Sequence, residues 1–179
     1  MKIAYFRAKM HATMKEQSML AEISTLIERG KQQVATQVNS TMTMVYRQVG
    51  HRINTEILQQ ERAAYGQAIV AALAEALTEQ YGRSFVVRNL RRMMQFAKVF
   101  PDLEIVVPLA RQLSWSHFVV LIPIKDADKR LFYAQKAIEV GWGKRMLRKQ
   151  IEAKIYERGQ IANTQLSTTD SEWQHTFIF

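Results

Sequence analysis

Between Arg88 and Phe96 the chain reads RNLRRMMQF, with Arg88, Arg91 and Arg92 close together and no acidic residue among them. Guanidinium groups fork onto phosphate oxygens or guanine edges, so arginines gathered on one face have the chemistry to bind nucleic acid. At about 100° per residue along a helix, Ser84, Arg88, Arg91, Arg92, Gln95 and Lys98 fall on one arc roughly a third of the circumference wide. Val86, Leu90, Met93, Met94, Ala97 and Phe100 fall on the other side. An acid-free arc of cations gains from counterion release when it meets closely spaced phosphates. We therefore expect Arg88, Arg91, Arg92 and Lys98 to contact phosphates, Gln95 to reach a base edge and Arg83 to support them from the preceding turn. Lys144, Arg145, Arg148 and Lys149 form a second basic set in the first turns of a later helix. The plainer alternative is a solvated basic face paired with acids elsewhere in the chain.

Catalytic constellations are scarce by comparison. His11, His51, His117 and His175 are scattered, with no pair at zinc-ligand spacing. No nucleophile elbow, P-loop or dinucleotide fingerprint occurs. Pro101-Asp102 followed by Glu152-Ala153-Lys154 imitates the acid and acid-x-Lys elements of PD-(D/E)XK nucleases, where carboxylates hold Mg²⁺ and the lysine positions water. However, Pro101-Asp102 reads as a helix stop, and KQIEAKIYER has helical character where that centre needs a strand. No catalytic residue, metal or cofactor is assigned. Trp115, Ser116 and His117 read as a core cluster, and Tyr133, Trp142 and Tyr156 as packing residues. Met42, Met44, Met93 and Met94 read as core filler.

The elements that must position the basic arc follow from apolar periodicity. Leu20, Ile23, Leu26 and Ile27 recur at helical spacing, and after Gly30 the series Val34, Val38, Met42, Val45, Val49, Ile53, Ile57 continues it. This predicts a buried stripe on a helix from about Lys31 to Gln59, with an earlier helix joined to it through Gly30. A helix over Gly66–Gln80 stops at YGRS, where Gly82 suits a left-handed cap and Ser84 an N-cap for the basic helix that Pro101 closes. Gly66–Gln80, a glycine turn and Phe85–Val99 together have the outline of a helix-turn-helix. The tightest form of that motif has apolar residues six and nine positions after the glycine; here they are Arg88 and Arg91, so the match is to a looser variant. LEIVVPLARQL predicts a short helix interrupted near Pro108, while SWSHFVVLIPI reads as helix or buried strand. Lys129–Val140 buries Leu131, Phe132, Ala134 and Ile138, and Gly143–Arg158 turns Leu147, Ile151 and Ile155 inward.

Composition bounds the rest. A chain of 179 residues with 47% hydrophobic and 23% charged residues suits one cored domain, and few Gly and Pro favour long helices. The absence of Cys fits a reducing, cytoplasmic setting, and no apolar run approaches a membrane span. The formal charge of +9 argues for an anionic partner.

Four stretches in order, VNSTMTMVYRQVGHRI, YGRSFVVRNLRRMMQFAKVFP, LSWSHFVVLIPIKDADKRLFYAQKAIEVGW and LRKQIEAKIYERG, resemble the N-terminal domain of the YhcG family of bacterial proteins. The likeness spans roughly Met19 to Gly159 and is tightest at Asn89–Phe96 and Leu113–His117. It implies a mostly helical domain contacting nucleic acid, a helix opened by Ser-Trp-Ser-His, and a separate nuclease-like domain in full-length members. It gives Asp102 and Glu152 no catalytic role. We therefore expect an all-α domain of about six helices over 19–159, an N-terminal extension over 1–18 and a loosely ordered tail over 160–179. The expected role is non-catalytic binding of DNA, with RNA left open. The rival role is assembly, through a homodimer along Val34–Ile57 or with a nuclease subunit.

Overall fold

The structure, a computed structural model, describes residues 2–58 and 63–161, with side chains over 16–57 and 66–161. The described residues are all helix and connecting turns, so the fold is all-α as expected, with helices α1 to α7, one 3-10 turn and a further helical stretch over 155–161. No described helix is long and apolar enough to cross a membrane. The tail beyond 161, including the FIF terminus, lies outside the described residues.

Helix α1 runs unbroken over Lys2–Leu58, through Gly30. The chain divides into two units, Met1–Asn39 and Ser40–Phe179. In the first unit the described side chains are exposed, Val34 and Val38 included, so the predicted buried stripe does not extend there. Periodicity shows which residues share a face, not whether anything lies against it.

In the second unit the buried face of α1 is Thr43, Arg47, Gly50, Ile53 and Asn54. Apolar periodicity identifies only Ile53 among these, because the other four are not large apolar residues. A Cβ on Gly50 would stand 1.9 Å from the Met93 carbonyl oxygen, so α1 crosses the basic helix backbone to backbone. Asn54 Nδ2 donates to the Met94 carbonyl at 2.8 Å beside that crossing. Ile53, Val70, Ala74, Leu90 and Met93 form one buried cluster, with Val49 and Ile57 packed against it. The chain's own core therefore already covers the Ile53 end of the Val34–Ile57 stripe.

Helix α2, Ala63–Tyr81, ends at Gly82, whose φ of 86° and ψ of −175° favour glycine but are not the left-handed helical cap expected. A 3-10 turn over Arg83–Phe85 follows, and α3 begins at Val87 with Val86 as its N-cap. Ser84, expected as the N-cap, lies inside that turn, which displaces the helix start; its carbonyl accepts from Asn89 Nδ2 at 3.3 Å. Helix α3 spans Val87–Val99.

The remaining helices enclose a second cluster containing Phe96, Phe100, Phe118, Leu121, Tyr133 and Leu147. Helix α4, Leu103–Gln112, is capped by Asp102, whose Oδ1 accepts from the Glu104 amide at 2.7 Å. Pro108 does not interrupt it: the ring is exposed and the carbonyl left without a donor belongs to exposed Glu104, within reach of water. SWSHFVVLIPI is helical, α5 over Trp115–Leu121. His117 Nδ1 accepts from the Ser114 amide at 3.2 Å, which leaves the Nε2 proton to donate to the Trp142 carbonyl at 3.0 Å. The Leu-Ser-Trp-Ser-His run is thus a helix cap tied to the turn at Trp142, with His117 a hydrogen-bonded packing residue.

Helix α6, Ala127–Val140, buries Arg130, Tyr133, Ala134 and Ala137, while Leu131, Phe132 and Ile138 are half-buried at its flanks. Asp126 caps it through the Lys129 amide at 3.0 Å, so the helix starts two residues before the expected Lys129. Helix α7 covers Lys144–Glu152 and stops short of Arg158 because Lys154 takes a positive φ of 55°. Helix resumes over 155–161. There the Glu157 carboxylate pairs with Lys129, and this hydrogen bond holds Glu157 below the usual carboxylate range. Its stabilising contribution is present above the usual carboxylate range and lost as pH falls below that range, through the lowered value. Glu157→Gln is expected to remove this acid-sensitive component, as read by thermal melts across a pH series.

Candidate nucleic-acid interface

The apolar side of α3 is sunk in the core: Leu90, Met93, Phe96 and Ala97 are buried. That orientation turns Arg88, Arg91, Gln95 and Lys98 outward, all exposed, with Arg92 half-buried beside them. Arg92 Nη1 donates to Asn89 Oδ1 at 3.2 Å. Ion pairs among the described residues join Lys31 to Glu28, Arg52 to Glu56, Lys129 to Glu157 and Lys136 to Glu139. None of them reaches the basic arc. Burial, and after it the neighbouring Arg88, hold the Arg92 guanidinium below its usual pKa. The arc therefore carries like charges without an acidic partner among the described residues. Val86 supplies no side-chain cap, so the positive end of the α3 dipole adds to Arg88.

Two buried arginines that the sequence reading missed fix the other end of α3. Arg47 from α1 donates through Nε to the Phe100 carbonyl at 3.0 Å and through Nη2 to that of Pro101. Arg130 from α6 donates through Nη1 to the Val99 carbonyl at 2.7 Å, with its guanidinium carbon 5.0 Å from the Phe100 ring centre. Burial lowers the pKa of Arg130 against the opposing pull of the Asp126 carboxylate, and its hydrogen-bond acceptors are the Val99 and Lys125 carbonyls. These cations hold the orphan carbonyls at the end of α3 and so set which way its basic face points. In sequence they are indistinguishable from surface arginines. Arg130→Met keeps the stem but loses the donor, and is expected to cost about 2 kcal/mol in a urea melt.

The other predicted residues are placed less tightly. Gln95 Nε2 lies 3.5 Å from the Ile122 carbonyl, a long contact that leaves the amide exposed. Arg83 is exposed in the 3-10 turn. Lys144, Arg145, Arg148 and Lys149 are exposed on α7, which buries Leu147 instead, and they too join none of the ion pairs above. No group of three or more His, Cys, Asp or Glu side chains gathers among the described residues. Asp102 serves as the α4 cap and Glu152 is exposed at the end of α7.

The family described as the DUF1016 N-terminal domain matches residues 22–158. The protein named "Putative nuclease YhcG" from Escherichia coli is 30% identical over 169 residues, covering 77% of this chain. The chain spans 45% of that relative's length. No solved structure matches. On the extent of that match, the chain belongs to the DUF1016 N-terminal domain family, the N-terminal domain of YhcG-type proteins.

Proposed function

We propose that this domain binds nucleic acid, duplex DNA foremost, without itself performing catalysis, and serves as a targeting module for nuclease-type proteins. The observation that carries this reading is the outward face of α3, where Arg88, Arg91, Arg92 and Lys98 stand without an acidic partner among the described residues. Helix α2, the glycine turn and α3 act in it as a helix-turn-helix variant, with α3 as the reading helix and Gln95 at a base edge. Arg83 supports from the turn. Lys144, Arg145, Arg148 and Lys149 give α7 a second phosphate contact. The relative's name adds weight, since a nuclease must reach nucleic acid.

The test is fluorescence anisotropy with duplex DNA, single-stranded DNA and RNA at two salt concentrations. The proposal expects duplex DNA to bind, with log affinity falling linearly in log salt by roughly 0.9 per phosphate contacted. Salt-insensitive association, or none at low salt, would overturn it. Selective binding of RNA would move the proposal to that partner.

A further inference from the structure

The first unit leaves an apolar stripe uncovered. Leu20, Ile23, Ile27 and Val34 are exposed by 65, 46, 52 and 65%, and their spacing is that of a and d positions in a heptad repeat. The d position between Ile27 and Val34 is Gly30. A mid-helix glycine costs about 1 kcal/mol against alanine, and a Cβ there would meet nothing within 4 Å, so nothing among the described residues calls for it. Gly50 shows what this helix uses a glycine for: a neighbouring backbone fills the space of the missing Cβ.

Charge identifies the occupant. Residues 16–38 hold the acids Glu16, Glu22 and Glu28 ahead of the bases Arg29 and Lys31, in a chain whose formal charge is +9. That segment offers little to a polyanion, but laid head to tail against itself its acidic half meets its basic half. We propose that residues 16–38 pair with the same residues of a second copy as an antiparallel two-helix coil. The helices cross near Glu28 and Arg29, with Ile27 of each copy over Gly30 of the other and Ile23 against Val34. The missing Cβ at Gly30 lets the two backbones approach there. This inference does not depend on nucleic-acid binding.

The test is light scattering on the full chain without nucleic acid. The unaltered protein is expected to have twice the chain mass. Ile23→Lys with Ile27→Lys is expected to reduce it to the single-chain mass while leaving the unfolding transition of the second unit in place. The chain has no native cysteine, so orientation is read by oxidation of single-cysteine variants. Ile27→Cys is expected to cross-link. Leu20→Cys is not, since its two copies would lie about 25 Å apart along the axis, beyond the roughly 7 Å reach of a disulfide. A monomeric unaltered protein, a dimer that survives both lysines, or cross-linking of Leu20→Cys would each overturn the proposal.

Discussion

Replacing Arg88 and Arg91 together by glutamate is expected to lower duplex-DNA affinity at least about 100-fold, from roughly 1.5–3 kcal/mol per charge-assisted contact. Both side chains are exposed and make no ion pair among the described residues, so the protein should remain folded. The loss should come with a shallower salt dependence, because fewer phosphates are neutralised. Glutamate is the sharper probe than alanine, since it adds repulsion to each lost contact. Arg92 is the poorer target: it is half-buried and bonded to Asn89, so replacing it confounds binding with local structure. An anisotropy titration of the double variant beside the unaltered protein, with a matched circular-dichroism melt, separates these effects. Unchanged affinity and salt slope would leave the basic face merely solvated.

The second large effect is on stability. Gly50→Ala is expected to destabilise the protein by about 3 kcal/mol or more, as overpacking does when neither side can yield. The added Cβ would meet the Met93 carbonyl oxygen at 1.9 Å and its carbon at 2.2 Å, both backbone atoms. Only separation of α1 from α3 relieves that clash, and separation also strains the Asn54 bond to the Met94 carbonyl. A urea melt should show a lowered midpoint. Gly159→Ala is the control: its Cβ would meet nothing within 4 Å, and helix propensity predicts a gain of up to about 1 kcal/mol. Equal midpoints for the Gly50 variant and the unaltered protein would contradict the close crossing.

The amphipathic character of α3 was legible in sequence because large apolar residues and cations separate cleanly at helical spacing. The surface that holds α3 was not. Thr43, Arg47, Gly50 and Asn54 are buried on α1 although three are polar and one has no side chain, and apolar periodicity is blind to such a face. Arg130 is hidden in the same way on α6, where Tyr133 and Ala137 share its buried side. The reverse failure occurred at Val34 and Val38, apolar residues in good register that nothing in the described chain covers. Local capping chemistry explains the smaller discrepancies. The 3-10 turn after Gly82 moves the start of α3 past Ser84, and the positive φ of Lys154 divides a helix whose apolar period runs straight through it.

In the proposed complex the outward arginines of α3 meet nucleic acid while the inward arginines of α1 and α6 only hold that helix in place. Arginine side-chain resonances of the labelled protein, followed by NMR during titration with duplex DNA, test it directly. Nε–Hε signals of Arg88, Arg91 and Arg92 are expected to shift together and saturate, while those of Arg47 and Arg130 stay fixed. Shifts confined to other arginines, or none at all in low salt, would contradict it.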